Sequence, residues 1–371
     1  MAKSHGTNSN TTSASIASLK EHAAAAAREE SFRREKKLAY DLKIAKTENA
    51  QLENTNRELA ERLALLQRID SIVAEPPVWV SQKSAKGALH QGIPTLLLSD
   101  CHWDEIVKPE EVEGSNKYDR KIAIARLKRT LAGTIDLLRN YVAGLKYEGF
   151  TLMLGGDHFS GNIHEELQQT NEDTIFGSLD FWSDQLCGII GSLADEFHHL
   201  HIVGVVGNHG RNTRKPRAKL RVRDNLDWLL FRIVAKAFAK DSHVTFQIPE
   251  SADANVKIYN TNYRLTHGDQ FRGGSGIAGM LSPLMLGAHR KGQRQMTLKN
   301  PFDWMVIGHF HQYWTGKGII ANGSTKGYDE YAYLSNFAWE RAQQALFVTT
   351  PENGLTFSAP IFCDNRKAEG W

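Results

Sequence analysis

The stretch His201-Ile-Val-Gly-Val-Val-Gly-Asn-His-Gly210 decides how the rest of the chain is read. An apolar run of strand character, Ile202 to Val206, stops at Gly207 and delivers Asn208 and His209 side by side. Asn offers a hard oxygen and His a nitrogen that also carries protons, so the pair suits metal-assisted chemistry. Four other apolar runs end the same way. Leu96-Leu-Leu-Ser-Asp100 leads into Cys101-His102, and Thr151-Leu-Met-Leu-Gly-Gly156 into Asp157-His158. Tyr263-Arg-Leu-Thr266 leads into His267-Gly-Asp269, and Trp304-Met-Val-Ile-Gly308 into His309-Phe-His311. Five strands that each end in ligand-type residues place those residues on one edge of a sheet, where open α/β folds build their sites.

Between and after these runs the periodicity changes. Residues 117–147, 174–197 and 220–239 carry apolar residues at helical spacing, so the first half reads βαβαβα. Beyond Val244 short strands dominate (244–248, 256–259, 263–266, 304–307, 318–321, 346–349 and 355–357), with helix-like character only over 277–285. The fold class expected is α/β, with a catalytic domain over 93–371.

The N-terminal part has a different composition. Residues 1–15 are rich in Ser, Thr and Asn and read as a disordered tail. Residues 16–75 lack Pro and Gly and are rich in Ala, Glu, Lys, Arg and Leu. Leu38, Ala45, Leu52, Leu59 and Leu66 recur every seven residues, and Leu42, Asn49, Asn56 and Leu63 form a second series offset by four. That is a coiled-coil seam with Asn at two a positions, a pattern that favours a parallel two-stranded register. A homodimer through residues 38–70 is the partner it suggests; a single solvated helix is the alternative. Glu75-Pro-Pro77 ends the helix, and 76–92 reads as a linker.

Bulk properties exclude several classes. No run approaches the ~18 apolar residues of a membrane span, and the N-terminus has no apolar signal core. Three distant cysteines, 101, 187 and 363, make neither a disulfide framework nor a zinc knuckle, as expected of a cytoplasmic protein. A net charge of +3 identifies no partner.

The ordered blocks Asp100-Cys-His102, Gly155-Gly-Asp157, Gly207-Asn-His209, His267 and Gly308-His-Phe-His311 resemble the motif series of calcineurin-like metallophosphoesterases over about 93–325. The resemblance implies a two-sheet sandwich flanked by helices and a pair of divalent cations. Such a pair, ~3.5–4 Å apart, screens the phosphoester's charge and acidifies a water. It implies that Asp157 touches both ions, that Asp100, His102 and His311 complete one, and that Asn208, His267 and His309 complete the other. Mixed N/O donors without thiolate suit Mn²⁺, Fe or Zn²⁺, with Mn²⁺ what the family suggests for nucleases. His209 would stand over the substrate and protonate the leaving oxygen, and Gly155 and Gly156 would let the backbone turn beneath Asp157.

Neighbouring residues have blander readings. Cys101 is read as a buried filler, His158 and Asp269 as ligand orienters or loop polar residues, and His198, His199 and His201 as surface residues. The scattered Trp residues are read as core.

Two features bear on the substrate. Phosphoprotein phosphatases of the family continue the bridging Asp with Asp-Arg-Gly, where this chain has His158-Phe-Ser-Gly161. The DNA-repair exonuclease branch is closer, but it carries an acid after Gly-Asn-His where this chain has Gly210. Arg211, Arg214, Lys215, Arg217, Lys219, Arg221 and Arg223 then give seven cations in thirteen residues without an acid. A second basic run spans Arg290 to Lys299. Cations beside a phosphoester site attract polyanions, so the reading is a nuclease on DNA or RNA with Arg211, Arg214, Lys215 and Arg217 contacting substrate. The alternatives are a small-molecule or nucleotide phosphoesterase, and a coiled-coil scaffold with a vestigial site.

Overall fold

The computed structural model describes residues 10–69, 90–142, 144–271, 279 and 281–371. It divides into two units, Met1–Asp70 and Ser71–Trp371. The first is one helix, α1 (Asn10–Ile69). It starts inside the stretch expected to be a disordered tail, because no Gly or Pro separates residues 10–15 from the Ala-rich run. Leu38, Leu42, Leu52 and Leu59 of the predicted seam are all more than half exposed. The predicted stop at Glu75-Pro-Pro77 lies outside the described residues.

In the second unit the strands form two sheets. The first runs β12 (Gly354–Phe362), β11 (Gln343–Thr350), β1 (His90–Leu98), β3 (Phe150–Leu154), β4 (Leu200–Gly204) and β5 (Val244–Gln247), with β2 (Leu145–Tyr147) paired to the start of β1. The second runs β6 (Asp253–Ile258), β7 (Thr261–Thr266), β8 (Trp304–Ile307), β10 (Ile319–Ala321) and β9 (Trp314–Gly316). β1, β3, β4 and β5 are parallel, and so are β7, β8 and β10.

Alternation along the strands explains the layering. Leu96 and Leu98 of β1, with Leu152 and Leu154 of β3, pack into one core with α2 (Arg120–Asp136), α4 (Ile175–Phe197) and α5 (Leu226–Ala237). Ile93 and Leu97, pointing the other way, join Met153, Val203 and Phe347 against Val256, Leu265, Val306 and Ile320 of the second sheet. The far side of that sheet packs Met305, Ile307 and Ile319 on Leu284 of α6 (Leu281–Thr297). This is the two-sheet, helix-flanked architecture expected. Three short α-helices, α3 (Glu165–Thr170), α7 (Glu330–Leu334) and α8 (Arg366–Glu369), also belong to the unit.

Several boundaries differ from the sequence reading. Residues 90–92, expected to be linker, begin β1 and pair with Leu145–Tyr147; Gly144, at φ 85, turns the chain out of the preceding helix and frees that segment as a strand. α6 reaches Thr297, well past the expected 285, because its buried stripe is completed by Lys291 and Gln295, polar residues that hide the period. His201 is fully buried rather than on the surface: β4 is an inner strand, and the ring lies 3.0 Å from Thr245 Oγ1 on β5. Trp103 and Trp182 are core, but Trp339 is exposed. Among the described residues no helix is long and apolar enough to cross a membrane.

Candidate metal centre

Each predicted ligand sits just past the carboxyl end of a strand, and the backbone there leaves strand geometry abruptly. Asp100, His102, Asp157, His309 and His311 all have positive φ, between 47° and 69°. Each such non-glycine residue costs on the order of 1 kcal/mol or more, and the concentration of five in one place marks a site that the surrounding fold over-determines. The turns pass so close that glycine is required. A Cβ on Gly207 would overlap the Asp157 carboxylate, with Cγ 2.6 Å away, and a Cβ on Gly308 would stand 2.5 Å from Asp100 Oδ2.

The side chains converge in two groups. Asp100, His102 and His311 form one, Asp157, His267 and His309 the other, with candidate ligand atoms within 4.8 Å of one another in each. His267 Nε2 lies 2.9 Å from Asp157 Oδ2 and 3.1 Å from Asn208 Oδ1. Its Nδ1 is 2.9 Å from the carbonyl of Gly155, which can only accept, so Nδ1 carries a proton and Nε2 faces the carboxylate. In the first group His102 Nε2 and His311 Nε2 are 3.1 Å apart, and His311 Nε2 is 3.5 Å from Asp100 Oδ1. Asp157 also shares a cluster with His102 and His209, which places it between the groups.

The donor set fits divalent ions. Two nitrogens each ~2.1 Å from one cation at a right angle stand about 3 Å apart, which is the His102–His311 separation. Asp100 and Asp157 are both buried and need positive charge nearby. Burial opposes charging His267, but Asp157 beside it wins and raises its pKa to about 10. Burial, then the Lys326 ammonium, pushes His102 down to about 4, and burial with the charge of His267 takes His309 to about 4. Those two rings are therefore neutral near pH 7, the form in which imidazole ligates.

His209 borders both groups, its ring 4.4 Å from that of His102 between centroids. Its backbone amide donates to Asp157 Oδ1 at 2.6 Å, and its Nδ1 lies 2.7 Å from the Ser160 carbonyl. With Nδ1 fixed as a donor, Nε2 is the nitrogen available for proton transfer. The ring lines a cavity of about 680 Å³ together with His102, Phe310, Tyr328, Tyr331 and Phe337, and with the acids Glu105, Glu165 and Glu340.

Residues the sequence reading missed hold the centre in place. Asp227, fully buried, accepts from the amides of Asp157 (3.0 Å), His158 (3.2 Å) and Gly207 (2.9 Å). Asn225 caps α5 and donates to the Gly207 carbonyl. Ser99, whose hydroxyl donates to Asp100, is held by Asn322 Nδ2 and by Gln344 Oε1. Glu105 Oε2 is 3.2 Å from His102 Nδ1, and its other oxygen takes the buried ammonium of Lys326 at 2.8 Å. Only Asn225 with Asp227 carried a sequence signal, that of a helix start, concealed inside the helix expected over 220–239. Cys101 is buried filler, and His158 packs its Nδ1 3.3 Å from Asp227. Asp269 pairs with Arg221.

The cationic run is partly spent within the fold. Arg211 donates to the carbonyls of Thr213, Asn208 and Arg214, so it braces its own loop. Arg221 and Arg223 form two-pronged pairs with Asp269 and Glu250. Arg214, Lys215, Arg217 and Lys219 are exposed. In the second run Lys291 and Arg294 pair with Asp253, so part of its charge is also neutralised internally.

No protein-family model matches the chain, and no curated protein does. Among solved structures the chain is similar to vacuolar protein sorting 29 of Cryptosporidium parvum, at 14% identity over 72% of this chain and 96% of that one, TM-score 0.28. It is also similar to a provisionally named 5′-nucleotidase of Staphylococcus aureus (11% identity, 74% of this chain and 55% of that one, TM-score 0.34). A third likeness is to the sulfate thiohydrolase SoxB of Thermus thermophilus (8% identity, 78% and 60%, TM-score 0.30).

Proposed function

We propose that this protein is a dinuclear metal-dependent phosphoesterase that hydrolyses phosphodiester bonds of nucleic acid. The observation that carries the reading is the position of Asp157, between a group built on Asp100, His102 and His311 and one built on Asn208, His267 and His309. In this reading those seven residues hold two divalent ions, of which Mn²⁺ is the first candidate. When bound, such ions supply Lewis acidity, charge screening for the phosphate and an acidified water. The chain's own residues do the rest. His209 is oriented by the Ser160 carbonyl and delivers a proton from Nε2 to the leaving oxygen, while Asp157 anchors the His209 amide. Arg214, Lys215, Arg217 and Lys219 supply exposed positive charge on the loop after His209.

A second reading, a nucleotide or other small phosphoester as substrate, is favoured by the 680 Å³ cavity at the centre, whose aromatic and acidic lining suits one nucleoside-sized group better than a polyanion. The test is incubation with Mn²⁺ and labelled single- and double-stranded DNA and RNA, beside bis-p-nitrophenyl phosphate, p-nitrophenyl phosphate and nucleotides. Degradation of a polymer, with binding that weakens by several phosphates' worth of salt dependence, supports the first reading. Turnover of monoesters alone supports the second, and no metal-dependent turnover of any ester defeats both.

A further inference from the structure

A second group of metal-type side chains lies away from this centre. His198 ends α4, His199 precedes β4 and His243 precedes β5, so all three sit at the amino ends of two adjacent strands, and the carboxyl end of β4 leads to Asn208 of the candidate metal centre. The full length of β4, five residues or about 16 Å, separates the two places. The three rings stand at centroid separations of 4.6, 4.4 and 5.1 Å, and one nitrogen from each falls within 4.8 Å of the others.

We infer that His198, His199 and His243 form a surface site for a late first-row divalent ion, of the zinc or copper class. Imidazole is the donor these ions prefer, and three nitrogens with the remaining positions left to water is a common coordination. Three nitrogens ~2.1 Å from one tetrahedral ion stand about 3.4 Å apart, so small ring rotations bring this trio to bonding distance.

The backbones that carry the rings are fixed. The His198 amide donates to Ala194, the Phe150 amide to the His199 carbonyl, and the Leu200 amide to the His243 carbonyl at 2.8 Å. The Asp241 side chain accepts from the His243 amide at 2.9 Å. His198 holds its turn at φ 61, and its ring stands 4.6 Å from that of His199 and 4.4 Å from that of His243. Burial, with His198 and His243 alongside, lowers the pKa of His199. None of these three residues lines the cavity at the other end of the strands.

The test counts zinc bound per full-length chain after equilibrium dialysis, in four proteins: wild type, H198A/H243A, D100N/D157N and the combination of both pairs. The expected result is one ion fewer whenever His198 and His243 are replaced, in either background. A copper(II) spectrum of D100N/D157N is expected to show nitrogen couplings that H198A/H243A removes. An unchanged zinc count and an unchanged copper spectrum overturn the site. H243Q provides a milder replacement, expected to weaken zinc at least tenfold without altering the thermal melt; full affinity in H243Q likewise counts against the site. Failure of the phosphoesterase reading would appear separately, as an unchanged count in D100N/D157N.

Discussion

Asp227 Oδ2 accepts hydrogen bonds from the backbone amides of Asp157 and Gly207 at 3.0 and 2.9 Å, so one buried carboxylate sets the spacing between two motif turns. Its other oxygen takes the His158 amide. Replacing it by Ala strands three buried donors at about 1–3 kcal/mol each. Asp227→Ala is expected to lose about 3 kcal/mol or more in urea unfolding, and metal content with it. A variant of wild-type stability would show the carboxylate to be dispensable.

Gly207 faces that same carboxylate-bearing turn. The added methyl of Gly207→Ala would displace Asp157, a strain of about 1–3 kcal/mol for overpacking. Expected is a fall in both metal occupancy and turnover. Occupancy at the wild-type level, read by elemental analysis, would contradict the close approach.

His209→Gln separates ligand from proton donor. With the seven proposed ligands intact, both ions are expected to remain while kcat falls by about 10²–10⁴, the contribution of a general acid. Loss of an ion in this variant would make His209 a ligand instead.

Asp253 sets an acid limit on stability. Burial would raise its carboxyl, but Lys291, Thr266 and Arg264 around it hold it below the usual carboxylate range. A depressed folded-state value means its contribution is complete above the unfolded pKa of about 3.9 and is lost as pH falls through the lower folded value. Asp253→Asn is expected to cost about 3 kcal/mol at pH 7, since buried cations lose their partner. Its stability is also expected to vary less than that of wild type below about pH 4. Parallel curves for the two proteins would refute the assignment.

The exposed leucines of α1 predict self-association. Sedimentation of the full chain is expected to give a dimer that Leu52→Lys with Leu59→Lys converts to monomer. A wild-type monomer at micromolar concentration would leave α1 a solvated helix.

The candidate site is legible in the sequence because its residues are the terminal ones of apolar runs. A strand that stops at Gly207 or Gly308 marks the next two or three residues as the ones at the sheet edge, and residue type supplies the rest. The supports are not legible, for a physical reason. Asn322 and Gln344 reach Ser99 across more than two hundred residues of chain, and an amide in a strand or loop has no type signature for that task. His201 escapes because its neighbours on β3 and β5, which bury it, are apparent only once the strand order is known. The basic runs mislead in a related way. Charge is visible in sequence, but Asp253, Glu250 and Asp269, which neutralise part of it, are distant in the chain.

The turns bearing Asp100, Asp157 and Asn208 hang from one sheet, and those bearing His267, His309 and His311 from the other. Anything gripping both sets acts as a rivet through two plates. Stripping it with a chelator would then loosen more than chemistry: the plates would be left to apolar contact and a few hydrogen bonds such as Tyr263 to Thr349 and Asn322 to Ser99, and amide exchange would quicken first along β7 and β8, the strands whose ends the rivet had pinned.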